Sequence, residues 1–182
     1  MIKMLNLPNA LTIFRICAVP FIVALLYFPG RVTCVLATVF FLVAILTDLA
    51  DGFIARKYNL VTNFGKFLDP IADKILIASV MIMLVQLNWI PGWIAIIVIA
   101  REIMVTGLRA IAADKGHVIA ADKYGKMKTI MQSVALVPLL YHYPVFGLDC
   151  ASLGQVLLFI AMLLTVYSGW NYLHGFYQVW TD

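Results

Sequence analysis

The residues best suited to chemistry are four aspartates in an otherwise largely apolar stretch: Asp48, Asp51, Asp69 and Asp73. An ionised carboxylate is expensive to keep in apolar surroundings, and four such anions close together repel one another. Hard divalent cations relieve that repulsion, since carboxylate oxygens suit Mg²⁺ or Mn²⁺. The motif contains no His or Cys, which argues against zinc. The pattern therefore predicts a site for two divalent cations, Mg²⁺ or Mn²⁺.

The spacing of these residues predicts two helical faces. The first face has positions i, i+3, i+4, i+7 and i+8, and the second has positions i, i+4 and i+8. These faces comprise Asp48, Asp51, Gly52, Ala55 and Arg56, and then Gly65, Asp69 and Asp73. The short connection 57–64 predicts antiparallel neighbouring helices whose carboxylates converge. Pro70 predicts a kink or a helix start beside Asp69.

Two glycines and two basic residues accompany the aspartates. Gly52 and Gly65 have no side chain, so a bulky ligand can approach the backbone closely. Arg56 and Lys66 add positive charge at the same rim, as a phosphate-bearing substrate requires. Single aspartates at helix ends are often only caps, but four at this spacing, with both glycines and Arg56, favour a ligand site.

The composition is that of a membrane protein. Hydrophobic residues make up 64% of the 182 residues and charged residues 12%, and the mean hydropathy is +0.99. Soluble domains carry about 45–50% apolar and about 25% charged residues. Six apolar segments, each close to the roughly 20 residues of a membrane-spanning helix, predict an all-α bundle of six transmembrane helices in one domain, 1–182, after a short N-terminal cytoplasmic segment. The segments are 8–28, 33–56, 67–88, 91–113, 125–142 and 152–178.

The basic residues predict the orientation of this bundle. They cluster at one set of segment ends, which places both termini and the aspartates in the cytoplasm. The formal net charge of +4 then reflects topology and an anionic inner leaflet of membrane lipids, and nucleic acid is not needed to explain it. The clustered residues are Lys3, Arg15, Arg56, Lys57, Lys66, Lys115, Lys123, Lys126 and Lys128.

The string from Asp48 to Asp73 resembles the signature of the CDP-alcohol phosphatidyltransferases, D-x2-D-G-x2-A-R-x8-G-x3-D-x3-D, at every fixed position. The resemblance implies transfer of a phosphatidyl group from CDP-diacylglycerol to an alcohol with release of CMP, two divalent cations, and a homodimer. It assigns the metal to Asp48, Asp51 and Asp69. It makes Asp73 the general base and, in a second role that stays open, a further metal ligand. The implied contacts of the CDP moiety are Gly52, Arg56, Thr62, Gly65 and Lys66.

The segment Pro8-Asn9-x-x-Thr12-x-x-Arg15 resembles the one that precedes the first helix in that family. The resemblance places Asn9 and Thr12 near the nucleotide. Because Thr12 and Arg15 are spaced i, i+3, both can face one cleft. The alternative is an ordinary helix N-terminus whose Arg15 extends to the membrane surface.

A second group of basic residues bears on the acceptor alcohol. Arg101 and Arg109 lie two turns apart in an apolar segment and need an anionic partner. Glu102 cannot neutralise both of them. Lys126 and Lys128 add further positive charge. Together they predict a pocket for an acceptor's phosphate. These strings resemble the bacterial phosphatidylglycerophosphate synthases of the family, which implies glycerol 3-phosphate as acceptor and a bacterial inner membrane.

Three alternatives stay open at this point. Inositol phosphate would need a similar pocket, whereas the phosphatidylglycerol used by cardiolipin synthases would not. A divalent-cation transporter is a remote alternative, because Arg56 and Lys66 would repel a passing cation and transport sites lie near mid-membrane.

Overall fold

The computed structural model describes residues 7–57, 63–114, 123–145 and 147–181, and these form six α-helices. The six predicted segments are confirmed as helices, with ends that shift by at most four residues. Pro70 lies inside the third helix, so the prediction that a helix starts there is wrong. The helices are α1 Leu7–Tyr27, α2 Arg31–Lys57, α3 Asn63–Gln86, α4 Gly92–Asp114, α5 Lys123–Tyr141 and α6 Cys150–Thr181.

Among the residues that the structure describes, three helices are long and apolar enough to cross a membrane: the spans are Ala10–Tyr27, Arg31–Asp48 and Cys150–His174. Large hydrophobic side chains cover the outside of the bundle, including Phe21, which is 61% exposed, and Ile96, which is 68% exposed. A soluble monomer rarely exposes an apolar surface this extensive. Helices α3 and α4 each carry four charged residues, several of which belong to the candidate site.

The first helix has a position that the sequence analysis did not predict. Helix α1 packs against both α2 and α3, whereas α2 and α3 have no comparable contact with each other within the described residues. Within the described residues, α1 therefore bridges α2 and α3, and the direct pairing of the two motif ends stays a prediction. A short connection brings the ends of two helices together but does not force their faces into contact.

Helices α5 and α6 form the closest contact of the bundle. A Cβ added to Gly154 of α6 would lie 2.6 Å from Cγ of Leu139 and 3.0 Å from its backbone nitrogen. Glycine fits here because a Cβ would clash with the backbone and side chain of Leu139 unless one of them moved. Helix α6 also packs on α4, and α5 packs on α2 and α3, so α6 and α5 join the remaining helices into one core.

Local hydrogen bonds explain where the helices end. Asn88, with φ of 58°, ends the α3 region in the left-handed conformation common at helix C-termini. Asp149 begins α6: the Ser152 hydroxyl and the Ala151 N–H donate to its carboxylate. The Ser152 hydrogen bond is the main cause that lowers the pKa of Asp149.

Candidate active site

Helix α1 holds two of the four aspartates. The Thr12 hydroxyl donates to Oδ1 of Asp69 on α3 at 2.5 Å. One turn further on, Nη1 of Arg15 lies 2.7 Å from Oδ1 of Asp48 on α2. Because α1 packs on both α2 and α3, residues three apart on one helix reach carboxylates on two different helices.

Arg15 is a buried partner and not a residue that extends to the membrane surface. Its side chain is 0% exposed, whereas the Asp48 side chain is 39% exposed. A fully buried guanidinium is costly unless a carboxylate and hydrogen bonds compensate it. Sequence reasoning gave Arg15 no partner, although a charged residue in an apolar helix is itself a signal that a counter-charge lies on another helix.

The carboxylates suit a divalent cation. Asp48 and Asp69 are partly exposed, and neither the Arg15 nor the Thr12 contact uses Oδ2. All-oxygen donor sets of this kind favour Mg²⁺ or Mn²⁺. Among the residues whose side chains are described, no group of three His, Cys, Asp or Glu residues forms a metal cluster by itself; the Asp51 side chain lies outside that part.

Asp73 is near charged residues of several helices. Asp48, Arg15, Lys74 and Lys128 are all near enough to act on its carboxylate electrostatically. Asp73 also lines a cavity of about 240 Å³ between α3, α4 and α5. A carboxylate facing a cavity is placed to accept a proton from a hydroxyl bound there.

This cavity combines polar and apolar walls. Its polar lining comes from Asp73 and Lys74 of α3, Glu102 of α4, and Thr129 and Gln132 of α5. The remaining wall is aliphatic, with Ile77, Val98 and Ile99 among its members. Lys74 was not predicted, although its position directly after Asp73 was a usable signal.

Glu102 is the centre of the basic cluster. Its Oε1 contacts Nζ of Lys128 and lies 3.4 Å from Nη1 of Arg101. Lys128 and Arg101 are largely buried, with side chains 4% and 10% exposed. Helical spacing relates Glu102 only to the arginines of its own helix, so its contact with Lys128 on α5 was not predicted.

Helix α6 completes the cluster with three residues that sequence reasoning missed. The Ser168 hydroxyl lies 2.5 Å from Nη2 of Arg101. A Cβ on Gly169 would lie 3.1 Å from Cγ of Arg101, so this glycine makes room for the arginine. The Arg109 guanidinium lies 5.3 Å from the ring centroid of Tyr172, within the range of a cation–π contact.

The structure brings Thr12, Asp48, Asp69 and Asp73 to the same end of the bundle as Arg101, Arg109 and Lys128, and Gly65 is buried near the start of α3. The other predicted site residues stay predictions. Thr62 lies outside the described residues, and so do the side-chain environments of Asn9, Asp51, Gly52, Arg56, Lys66 and Lys126.

Comparison with known proteins identifies the family. A family model for CDP-alcohol phosphatidyltransferases matches residues 5–167. The chain belongs to the CDP-alcohol phosphatidyltransferase family. It is therefore a CDP-diacylglycerol-dependent phosphatidyltransferase, and enzymes of this family generally depend on divalent cations.

Several bacterial relatives in this family share about 40% of their residues with the chain. A Bacillus subtilis protein is 42% identical over 181 residues, which are 93% of this chain and 94% of the relative. A Rickettsia typhi protein is 40% identical over 170 residues, 93% of this chain and 96% of its own. A Haemophilus influenzae protein is 39% identical over 173 residues, which are 92% of this chain and 91% of the relative. All three are named CDP-diacylglycerol–glycerol-3-phosphate 3-phosphatidyltransferase.

Proposed function

We propose that this phosphatidyltransferase transfers the phosphatidyl group of CDP-diacylglycerol to sn-glycerol 3-phosphate, giving phosphatidylglycerophosphate and CMP. The observation that carries the acceptor is the charge of the cavity region. Three basic side chains interact there with two carboxylates, and Arg109 is near enough to act on Lys74 and Arg101, which leaves a formal excess of two positive charges. The basic residues are Lys74, Arg101, Arg109 and Lys128, and the carboxylates are Asp73 and Glu102.

A phosphate monoester matches that excess. It carries between one and a half and about two negative charges near neutral pH and offers three acceptor oxygens. Within the described part of the chain, the buried Nε of Arg101 and the buried hydroxyl of Tyr172 have no hydrogen-bond partner. Buried donors are normally satisfied, so a polar ligand is expected here. The phosphodiester of phosphatidylglycerol has only one charge and fits less well.

In the proposed reaction, Asp73 is the general base, and its position at the cavity supports this role. The acceptor hydroxyl gives its proton to the Asp73 carboxylate while its oxygen forms a bond to the phosphatidyl phosphorus of CDP-diacylglycerol. The bond from that phosphorus to the bridging oxygen breaks, and the electron pair leaves on CMP. Divalent cations held by Asp48, Asp51 and Asp69, with Asp73 as a further ligand, would neutralise the pyrophosphate and stabilise the leaving phosphate.

The donor side of the site uses the remaining predicted residues. Asn9, Thr12, Gly52, Arg56, Thr62, Gly65 and Lys66 are proposed to contact CDP-diacylglycerol, and Arg101, Arg109, Lys126 and Lys128 the acceptor. Support comes from the Thr12–Asp69 hydrogen bond, which joins the N-terminal segment to the motif. Two cations, Mg²⁺ or Mn²⁺, are proposed, as is a homodimer.

The proposed setting is a bacterial inner membrane. All six helices would cross it as one domain, 1–182, with both termini and the site in the cytoplasm. In support, the site lies at one end of the bundle, where a water-soluble acceptor can meet a lipid donor. Labelling of single engineered cysteines at each connection, from either side of sealed vesicles, tests this topology; a label pattern that does not alternate contradicts it.

The function is tested by CMP release. Purified protein with CDP-diacylglycerol and Mg²⁺ is offered glycerol 3-phosphate, inositol phosphate or phosphatidylglycerol. We expect CMP with glycerol 3-phosphate far above the other two. CMP release with none of them would refute the transferase, and a preference for another acceptor would refute only the proposed substrate.

The role of Asp73 has its own test. Asp73→Asn removes the base and keeps the size of the side chain, so turnover should fall by at least about a hundredfold while CDP-diacylglycerol still binds. Asp149→Asn is the matched control, since it makes the same change at the start of α6. Unchanged turnover in Asp73→Asn would refute the assignment.

A further inference from the structure

Glu102 separates the cavity from two buried cations. It lines the cavity together with Asp73 and Lys74, whereas neither Arg101 nor Lys128 is among the lining residues. Both cations contact its Oε1. A phosphate in the cavity therefore reaches these two cations only if Glu102 gives up its place.

The two cations are held unequally by this carboxylate. Arg101 is anchored from α6 through Ser168 at 2.5 Å, and its distance to Glu102 is 3.4 Å, which is long for a charged hydrogen bond. Lys128 is buried, and Glu102 is the carboxylate that it contacts. Losing Glu102 would leave Arg101 in position and Lys128 in need of another anion.

Glu102 also has space in which to move. Its side chain is 23% exposed, the most of the three residues, and it faces the cavity of about 240 Å³. Its single Oε1 makes both contacts, whereas a phosphate monoester offers three oxygens and more charge. An acceptor that carries a phosphate dianion can therefore displace the Glu102 carboxylate from the two cations. A weakly charged alcohol cannot, because it offers the cations less than Glu102 does.

We propose that Glu102 is a specificity-determining residue that acts as an internal counter-anion: it neutralises Lys128 and Arg101 when no acceptor is bound, and the phosphate of the acceptor displaces it. This inference rests on the proposed function, because it takes glycerol 3-phosphate as the acceptor. Glu102 competes with the substrate and so weakens its binding. Because Glu102 is present when the acceptor is absent, the two buried cations always have an anionic partner. Acceptors without a phosphate are disfavoured because they cannot displace Glu102.

The direction of the change in affinity tests this. Full-length protein in nanodiscs without CDP-diacylglycerol is titrated with glycerol 3-phosphate and, separately, with inorganic phosphate. Glu102→Gln removes the competing charge, so we expect both dissociation constants to fall, on the order of tenfold. Asp149→Asn is the matched carboxylate-to-amide control, since Asp149 lies roughly 28 Å along the α6 axis from Ser168, and it should bind both anions like the unsubstituted protein.

A purely structural Glu102 gives the opposite result. If it only shapes the pocket, Glu102→Gln binds glycerol 3-phosphate and inorganic phosphate equally well or more weakly, and the proposal is overturned. Glu102→Asp retains the charge on a shorter side chain, so it should bind both anions more tightly than the unsubstituted protein but by less than Glu102→Gln does. If Glu102→Gln does not fold, Glu102→Asp provides the test of the proposal. Failure of both variants to fold would assign a structural role and also overturn the proposal.

The same samples separate this inference from the function. CMP release by the unsubstituted protein with glycerol 3-phosphate tests the function alone. If no CMP appears although Glu102→Gln binds inorganic phosphate more tightly, the proposed substrate is refuted. The proposal that Glu102 is a displaceable counter-anion is still supported. If CMP appears and the affinity does not rise, only the counter-anion fails.

Discussion

The contact between Arg15 and Asp48 allows the metal assignment to be tested through stability. At 2.7 Å, two unit charges attract by about 6 kcal/mol at an effective dielectric constant of about 20. The Asp48 side chain is 39% exposed, so water offsets much of this attraction. We expect Arg15→Met to lower the free energy of unfolding by about 2 kcal/mol without divalent cations.

Divalent cations should reverse part of that loss. If Asp48 is a metal ligand, a bound cation supplies the positive charge that Arg15→Met removes. Stabilisation by a ligand follows its occupancy of the folded state. Saturating Mg²⁺ should therefore raise the apparent melting temperature of Arg15→Met by more than it raises that of the unsubstituted protein.

The assay is thermal unfolding of detergent-solubilised protein at a series of Mg²⁺ concentrations. For a chain of this size, about 2 kcal/mol corresponds to roughly 4–8 °C. Thr12→Val is the matched variant at Asp69, where the Thr12 hydroxyl donates. An equal Mg²⁺-dependent shift in the unsubstituted protein and both variants would refute the reasoning that Asp48 and Asp69 hold the metal.

Three further predictions concern the other helices. Gly154→Ala forces a Cβ to within 2.6 Å of an α5 side chain and should cost about 1–3 kcal/mol; Gly107→Ala, which meets nothing within 4 Å, is the control, and equal unfolding temperatures would contradict the close contact. Gly169→Ala should displace Arg101, which a Cβ would approach to 3.1 Å, and raise the KM for glycerol 3-phosphate several-fold; an unchanged KM counts against a role for Arg101. Arg109→Ala should raise the KM for glycerol 3-phosphate about tenfold and change that for CDP-diacylglycerol less; equal changes would place the acceptor pocket elsewhere.

The helices were predictable from the sequence because each requires a long apolar run. Breaks such as Pro29-Gly30 and Pro91-Gly92 then mark the ends, and the observed helices agree closely. The largest error lies at the start of α3, which begins at Asn63 and not near position 67. Its first turn is polar, so hydropathy alone does not reveal it.

The packing of α1 was not predictable from local pattern. Connection length suggested only that α2 and α3 are neighbours and did not reveal that α1 packs on both of them. What the sequence did contain was an unexplained charge, Arg15, within an apolar segment. A buried charge needs a partner, and the aspartates of the neighbouring motif were available candidates.

The acceptor region shows a second kind of limit. The residue types at Arg101, Arg109 and Lys128 predicted an anion site, and helical spacing related the two arginines. Spacing says nothing about contacts between helices, so the pairing of Glu102 with Lys128 on α5 and of Arg101 with Ser168 on α6 required the structure.

The position of Asp73 joins the two halves of the site. Charges from the motif side, Asp48 and Arg15, and from the acceptor side, Lys74 and Lys128, all act on this one carboxylate. A base for phosphatidyl transfer has to lie where the acceptor hydroxyl meets the donor phosphorus, and the proposed roles put Asp73 at such a boundary, between the proposed metal ligands and the proposed acceptor pocket. Because α1 orients Asp48 and α6 orients Arg101, the first and last helices set the two sides of that boundary, although neither contains the motif.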